Sequence, residues 1–174
     1  TGVRNTLIGG LSGDALTDAD DNVAVGDNAL GSDTLGSRST AIGQGALYAQ
    51  NFTTATDTYN TAVGYSAGTS VTTGIQNTFV GAEAGDGTDD GDGNVGVGDH
   101  ALSGNCGDNN VAVGKHSLLI STASNNTVVG ALAADGLTTG GSNTFIGFSV
   151  AGDAAVAGGS NTGMGASALV ALAG

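Results

Sequence analysis

Ten times along this chain a five-residue unit recurs, and its spacing restricts the fold more than any other property of the sequence. The units start near residues 5, 22, 39, 60, 77, 94, 110, 126, 143 and 161, as in NTLIG, NVAVG, STAIG, NTAVG and NTFVG, and each closes on glycine. Successive closing glycines, from Gly9 to Gly165, lie 17, 17, 21, 17, 17, 16, 16, 17 and 18 residues apart. That period is too short for a helix pair or a propeller blade and fits one turn of a coil made of short strands and tight turns. The whole of 1–174 therefore reads as a single all-β domain, a parallel β-solenoid or β-roll of about ten coils.

Each position of the unit has its own chemistry. The first is Asn in nine copies of ten. Asn tolerates turn conformations and can stack on its equivalent one coil away, so Asn22, Asn60, Asn77, Asn94, Asn110, Asn126, Asn143 and Asn161 are expected to form a corner ladder. The second position is always Thr or Val, and the fourth is Ile or Val except at Met164. With a side-chain period of two these share one strand face. The third, on the opposite face, is never polar: Leu7, Ala24, Ala41, Ala62, Phe79, Gly96, Ala112, Val128, Phe145 and Gly163. Both faces then need cover, and a second copy of the chain is the simplest source, which makes this third column the expected oligomer interface.

Three residues beyond the closing glycine a small residue recurs, such as Ala29, Ala46, Ala67 and Ala84, with Leu30, Leu47, Leu102, Leu118 or Leu169 often following. This is expected to be a second wall of the coil. Polar stretches of varying length complete each turn. The longest coil carries its extra residues between Tyr48 and Tyr59, as an insertion at one edge of a solenoid would.

Composition agrees with a coil and excludes several activities. Glycine makes up 33 of 174 residues without collagen's strict spacing, and the regularly placed Val and Ile argue against disorder. A formal charge of -13, opposed only by Arg4, Arg38 and Lys115, disfavours nucleic acid and anionic membranes as partners. No apolar run is long enough to span a bilayer, so no membrane insertion by this segment is expected. The chain lacks an initiating Met and reads as part of something longer. Its ends fall inside repeats, which suggests flanking domains or end-to-end stacking. Cys106 has no second cysteine to pair with and reads as an incidental thiol.

Candidate chemistry is sparse. His100 and His116 occupy one column in consecutive coils and should stack about 5 Å apart. Together with Asp99 they could hold a metal or sense pH. Asp90, Asp92 and Asn94 approach the alternating spacing of a calcium loop, so Ca²⁺ is the one cofactor considered, although Val95 stands where that loop needs glycine. The Gly-rich runs lack the Lys-Ser or Lys-Thr of a phosphate cradle. No catalytic triad, HExxH motif or rigidly held carboxylate pair is evident, so the chain reads as a non-enzyme. The seven Thr of the second column raise the further idea of an ice-binding face.

The units NVAVG at Asn22 and Asn110, STAIG at Ser39 and NTAVG at Asn60 resemble the head repeats of trimeric autotransporter adhesins, and similar repeats occur in phage tail-fibre and other surface-fibre proteins. The resemblance implies a left-handed parallel β-roll with three chains around a common axis, binding host or cell-surface protein or glycan. The family's coils are usually shorter, and its stalk and membrane anchor have no counterpart here. The expected function is a structural or adhesive segment of an extracellular or virion-surface fibre, a rigid oligomeric shaft or head. The alternative is a filament subunit that stacks end to end without a receptor.

Overall fold

The computed structural model describes residues 2–152 and 158–169; the expected domain limits at 1 and 174 lie outside them. Twelve short strands are present: β1 (Thr6–Ile8), β2 (Val23–Val25), β3 (Gly36–Ser37), β4 (Thr40–Ile42), β5 (Thr56–Asp57) and β6 (Thr61–Val63), followed by β7 (Thr78–Val80), β8 (Val95–Val97), β9 (Val111–Val113), β10 (Thr127–Val129), β11 (Thr144–Ile146) and β12 (Thr162–Met164). The ten strands contributed by the repeat units join in one parallel sheet, in sequence order and in register unit on unit. β3 and β5 form a separate parallel pair beside the long coil. No helix occurs among the described residues. The chain is thus an all-β parallel solenoid of about nine turns, each near 17 residues.

Each coil returns on itself through left-handed backbone at repeated places. The residue before the unit and those two and four places after its closing glycine have φ near +50 to +67°; examples in two coils are Gln76, Glu83 and Gly85, and Asn109, His116 and Leu118. Alternation of right- and left-handed residues directs backbone groups alternately to the coils on either side. The amide of Glu83 donates to Tyr65 O of the previous coil, and that of Gly85 to Ala101 O of the next. The turn is therefore hydrogen-bonded between coils as a strand is, which satisfies its buried backbone.

The closing glycines show why no other residue is used. Their φ lies between +111 and +144°, and from Gly9 to Gly147 a Cβ would meet the carbonyl of the next closing glycine at 2.1–2.8 Å. Both the conformation and the space demand a hydrogen at that point.

The strand faces are the reverse of the sequence expectation. From Ala24 to Gly163 the third column is buried within a single chain, with most members fully inaccessible. Leu7, in the first strand, is 42% exposed. Buried side chains cannot meet a partner, so Ala24, Ala41, Ala62, Phe79, Gly96, Ala112, Val128, Phe145 and Gly163 are the coil's own core and not an oligomer interface. The physical reason is width. The interior is narrow because the facing wall (Ala29, Ala46, Ala67, Ala84, Ala101, Ala133) sits close and is itself fully buried, so the small column turns inward and the β-branched pair turns out. The two Phe in this column fit because each is in register with glycine in the next coil, Phe79 with Gly96 and Phe145 with Gly163. A Cβ on Gly85 would lie 2.3 Å from the Phe79 ring.

A third core column lies in the stretches that read as polar edge. Seven residues past the closing glycine come Leu16, Asp33, Gln50, Val71, Thr88, Ser121 and Leu137, all buried but Leu16; in the coil that closes at Gly98 this place falls on exposed Asn105, and Cys106 beside it is buried instead. Where the column is polar it is hydrogen-bonded. Asp33 accepts from the amides of Gly36 and Phe52, both at 3.1 Å, and from Gln50 Nε2 at 2.6 Å. Gln50 Oε1 in turn accepts from Asn60 Nδ2 at 2.8 Å. This network fills the space opened by the long coil.

Gly64→Ala places its methyl 2.2 Å from Gly81 O in a left-handed conformation; it is expected to cost about 2–4 kcal/mol in a denaturant melt. A loss under about 0.5 kcal/mol contradicts the stacking of closing glycines described above.

Candidate functional site: the outer sheet face and a histidine column

With the third column turned inward, the second and fourth positions of every strand face outward. The fourth column runs Ile8, Val25, Ile42, Val63, Val80, Val97, Val113, Val129, Ile146 and Met164, without one polar member. Its residues are half-buried by their own ladder neighbours or exposed; Ile42, Val80 and Ile146 are each 38% accessible. The second column beside it is Thr or Val and is likewise outward. Stacked at about 4.8 Å per strand, the ten units make a flat apolar stripe about 45 Å long. Exposed Tyr65 and Phe148 extend it, both one place past a closing glycine. An apolar column unbroken over ten coils on the outside of a strongly acidic chain is unusual for a free surface.

The one group of three metal-ligating side chains gathered among the described residues is Asp99, His100 and His116, all partly buried, with one ligand atom of each within 4.8 Å of the others. The repeat assembles it. Glu83, His100 and His116 each stand two places past a closing glycine, with φ of 53, 51 and 54°, so they leave the backbone alike and stack coil upon coil. The His100 and His116 rings are 5.3 Å apart, edge to face, close to the spacing expected from the sequence. Glu83 Oε2 lies 2.6 Å from His100 Nε2. Asp99 Oδ1 lies 3.3 Å from His100 Nδ1, and Asp99 Oδ2 lies 3.3 Å from Lys115 Nζ and 3.8 Å from His116 Nε2. The Lys115 ammonium holds the Asp99 carboxyl below its ordinary value, partial burial opposes this, and His100 adds to it. Sequence reading found the histidine pair and Asp99 but missed Glu83, which the same count from Gly81 would have placed in their column.

The calcium candidates are not brought together. Asp90 and Asp92 are exposed, and neither belongs to a three-residue cluster. Asp92 has a structural bond instead: its Oδ1 accepts the Ile75 amide at 2.8 Å, while its own amide donates to Asp108 Oδ1 at 3.0 Å. Asp20 does the same for the Val3 amide. Part of the acidity is therefore a side-chain ladder two places before the unit. The three basic residues are each set against acids of an adjacent coil, Arg4 with Asp21, Arg38 with Asp57 and Lys115 with Asp99. Cys106 is buried, which raises its thiol pKa, and it contacts Thr88 Oγ1 at 3.3 Å.

No family model, no curated protein and no solved structure matches this chain. The parallel solenoid is compatible with a β-roll, and its function has to be read from its own surfaces.

Proposed function

We propose that this chain is a rigid structural segment of an extracellular or virion-surface fibre, assembled from copies of itself through the outer face of the long sheet. The observation that carries this reading is the outward fourth column, apolar in all ten units. A solvent-facing strand position under no constraint would be polar in some of them. The occupant that best suits a stripe repeating at the strand spacing is the same stripe on another copy, because the two match in length and period. The strands alone offer roughly 450 Å² per chain, from about 45 Å by about 10 Å. That is below the ~800 Å² per partner of a standard interface, so the flanking Tyr65 and Phe148 belong to the contact. Three chains around one axis, as the adhesin-like repeat pattern implies, would give each chain two such contacts. Adhesion to host or cell-surface protein or glycan is the finer form of this proposal, and a receptor-free filament is its alternative.

One observation favours a second reading. The Thr column faces outward, one hydroxyl per coil in seven of ten coils, with Thr6, Thr127 and Thr162 exposed and the other four half-buried, so a hydroxyl array of the kind an ice-binding surface needs lies on the outside. An assay of ice recrystallisation separates the readings, since a chain whose face is covered by another copy has no effect in it.

Sedimentation and light scattering of the purified chain test the assembly. Rods of about three chains are expected, and fibres of constant width support the filament form. Val80→Glu, on the outer face, should reduce the mass to that of one chain. Ala112→Asp, in the core, should unfold the chain at a cost of at least about 3 kcal/mol, as an unpaired buried charge does. A wild-type monomer whose mass and melting Val80→Glu leaves unchanged overturns the proposal.

A further inference from the structure

We propose that Asp99, His100 and His116 bind a divalent first-row transition cation of the zinc class, with Glu83 orienting His100. His100 stands between two carboxylates, Glu83 and Asp99. Its Nε2 lies within hydrogen-bond distance of Glu83 Oε2 at 2.6 Å, so a neutral ring that donates there offers its Nδ1 lone pair to a cation. Nδ1 is shielded from solvent and makes no hydrogen bond; the nearest group is the Asp99 carboxylate at 3.3 Å. Nδ1 and the carboxylate face each other across a gap that a proton or a cation can bridge, and with a cation both become its ligands. A carboxylate on the far nitrogen of a metal-bound imidazole is also the usual second support of such a ligand, because it fixes the ring and raises its basicity.

The geometry fits a small tetrahedral ion. Bonds of 2.0–2.1 Å put tetrahedral ligands about 3.3 Å apart. Asp99 Oδ1 is 3.3 Å from His100 Nδ1 already, His116 Nε2 lies 3.8 Å from the other carboxylate oxygen, Oδ2, and one ligand atom of each residue lies within 4.8 Å of the others, so side-chain rotation has to close the set around an ion. Two imidazoles and one carboxylate, with a fourth position left to water, suit zinc and its neighbours. Calcium wants six to eight oxygens, and they are not here. The net charge of -13 raises the local concentration of any cation. Lys115 is the competitor. Its ammonium rests against Asp99 Oδ2, and at 64% side-chain exposure it is free to swing away.

Calorimetric titration of the tag-free chain with ZnCl2 tests the site. One ion per chain is expected, with no comparable heat from CaCl2. His100→Asn and His116→Asn should each weaken binding at least ~30-fold; Asn suits the left-handed backbone at both positions. Glu83→Gln should weaken it ~10-fold, and Lys115→Gln should strengthen it several-fold. Equal zinc affinity in the wild type and in His116→Asn, or calcium binding as tight as zinc, overturns the assignment. If either Asn variant fails to fold, the two surface changes still decide it: unchanged affinity in both Glu83→Gln and Lys115→Gln refutes the site.

Discussion

In every described coil but the one that begins at Ser39, the side-chain oxygen of one asparagine accepts the backbone amide of the residue that follows it one turn later, and there the Asn60 amide turns to Thr58 Oγ1 instead. Asn77 donates its amide to Asn60 Oδ1 at 2.9 Å, Asn94 to Asn77 Oδ1 at 2.8 Å, Asn110 to Asn94 Oδ1 at 2.9 Å, and the series continues to Asn161. Ser39 donates in the same way to Asn22. The bond joins a buried acceptor to a buried backbone donor at the corner where the strand begins, a point that a sheet ladder alone leaves unpaired. Wherever it forms it holds the register of the strand that follows, because a slip by one residue would leave both groups without a partner. The other end of the amide changes partner along the chain. In the 17-residue turns that begin at Asn5, Asn22, Asn60 and Asn77, Nδ2 donates to the carbonyl 14 places on, as Asn60 does to Gly74 and Asn77 to Gly91. The turn that begins at Asn94 is one residue shorter, and Asn94 Nδ2 is left buried without a partner. From Asn110 onward Nδ2 donates back to the oxygen of the preceding Asn.

Once register is set, space inside the coil decides the rest. Closing glycines pass one another too closely for a methyl group, and the small third column meets the small second wall. Bulk is admitted only where a neighbour gives it up, as at Phe79 with Gly96 and Phe145 with Gly163. The β-branched residues that stiffen each strand are accordingly left on the outside, and that is the origin of the apolar stripe. The surface that points to assembly is a by-product of a narrow core.

Much of this was legible in the sequence. The repeat gave the coil, its period, its corner ladder and its insertion edge, because a solenoid maps one sequence column onto one place in space. The reversed strand faces have a plain cause. A three-residue strand with apolar residues at all three positions does not say which face is inward, and Ala24 or Ala112 could be read either way beside Val25 or Val113. The Phe–Gly pairing was the signal that could have settled it, since only an enclosed column needs compensation of volume. The third core column was missed because Asp33, Gln50 and Thr88 are polar, and periodicity of hydrophobicity is blind to a buried hydrogen-bonded network. Asp99, His100 and His116 were seen by column counting, which would have placed Glu83 beside them as well, but the contact of Lys115 with Asp99 depends on side-chain direction.

The asparagine corner is what makes a stack of short, Gly-rich turns into a rod stiff enough to present one continuous face. Amide hydrogen exchange followed residue by residue tests it most directly. The Asn77, Asn94, Asn110 and Asn126 amides lie outside the strands, yet should exchange within about tenfold of the strand amides of Val111–Val113. In Asn110→Ala the Asn126 amide should be the one that accelerates most. Asn amides exchanging as fast as an exposed turn residue such as Ser70 would contradict the ladder as the tie between coils.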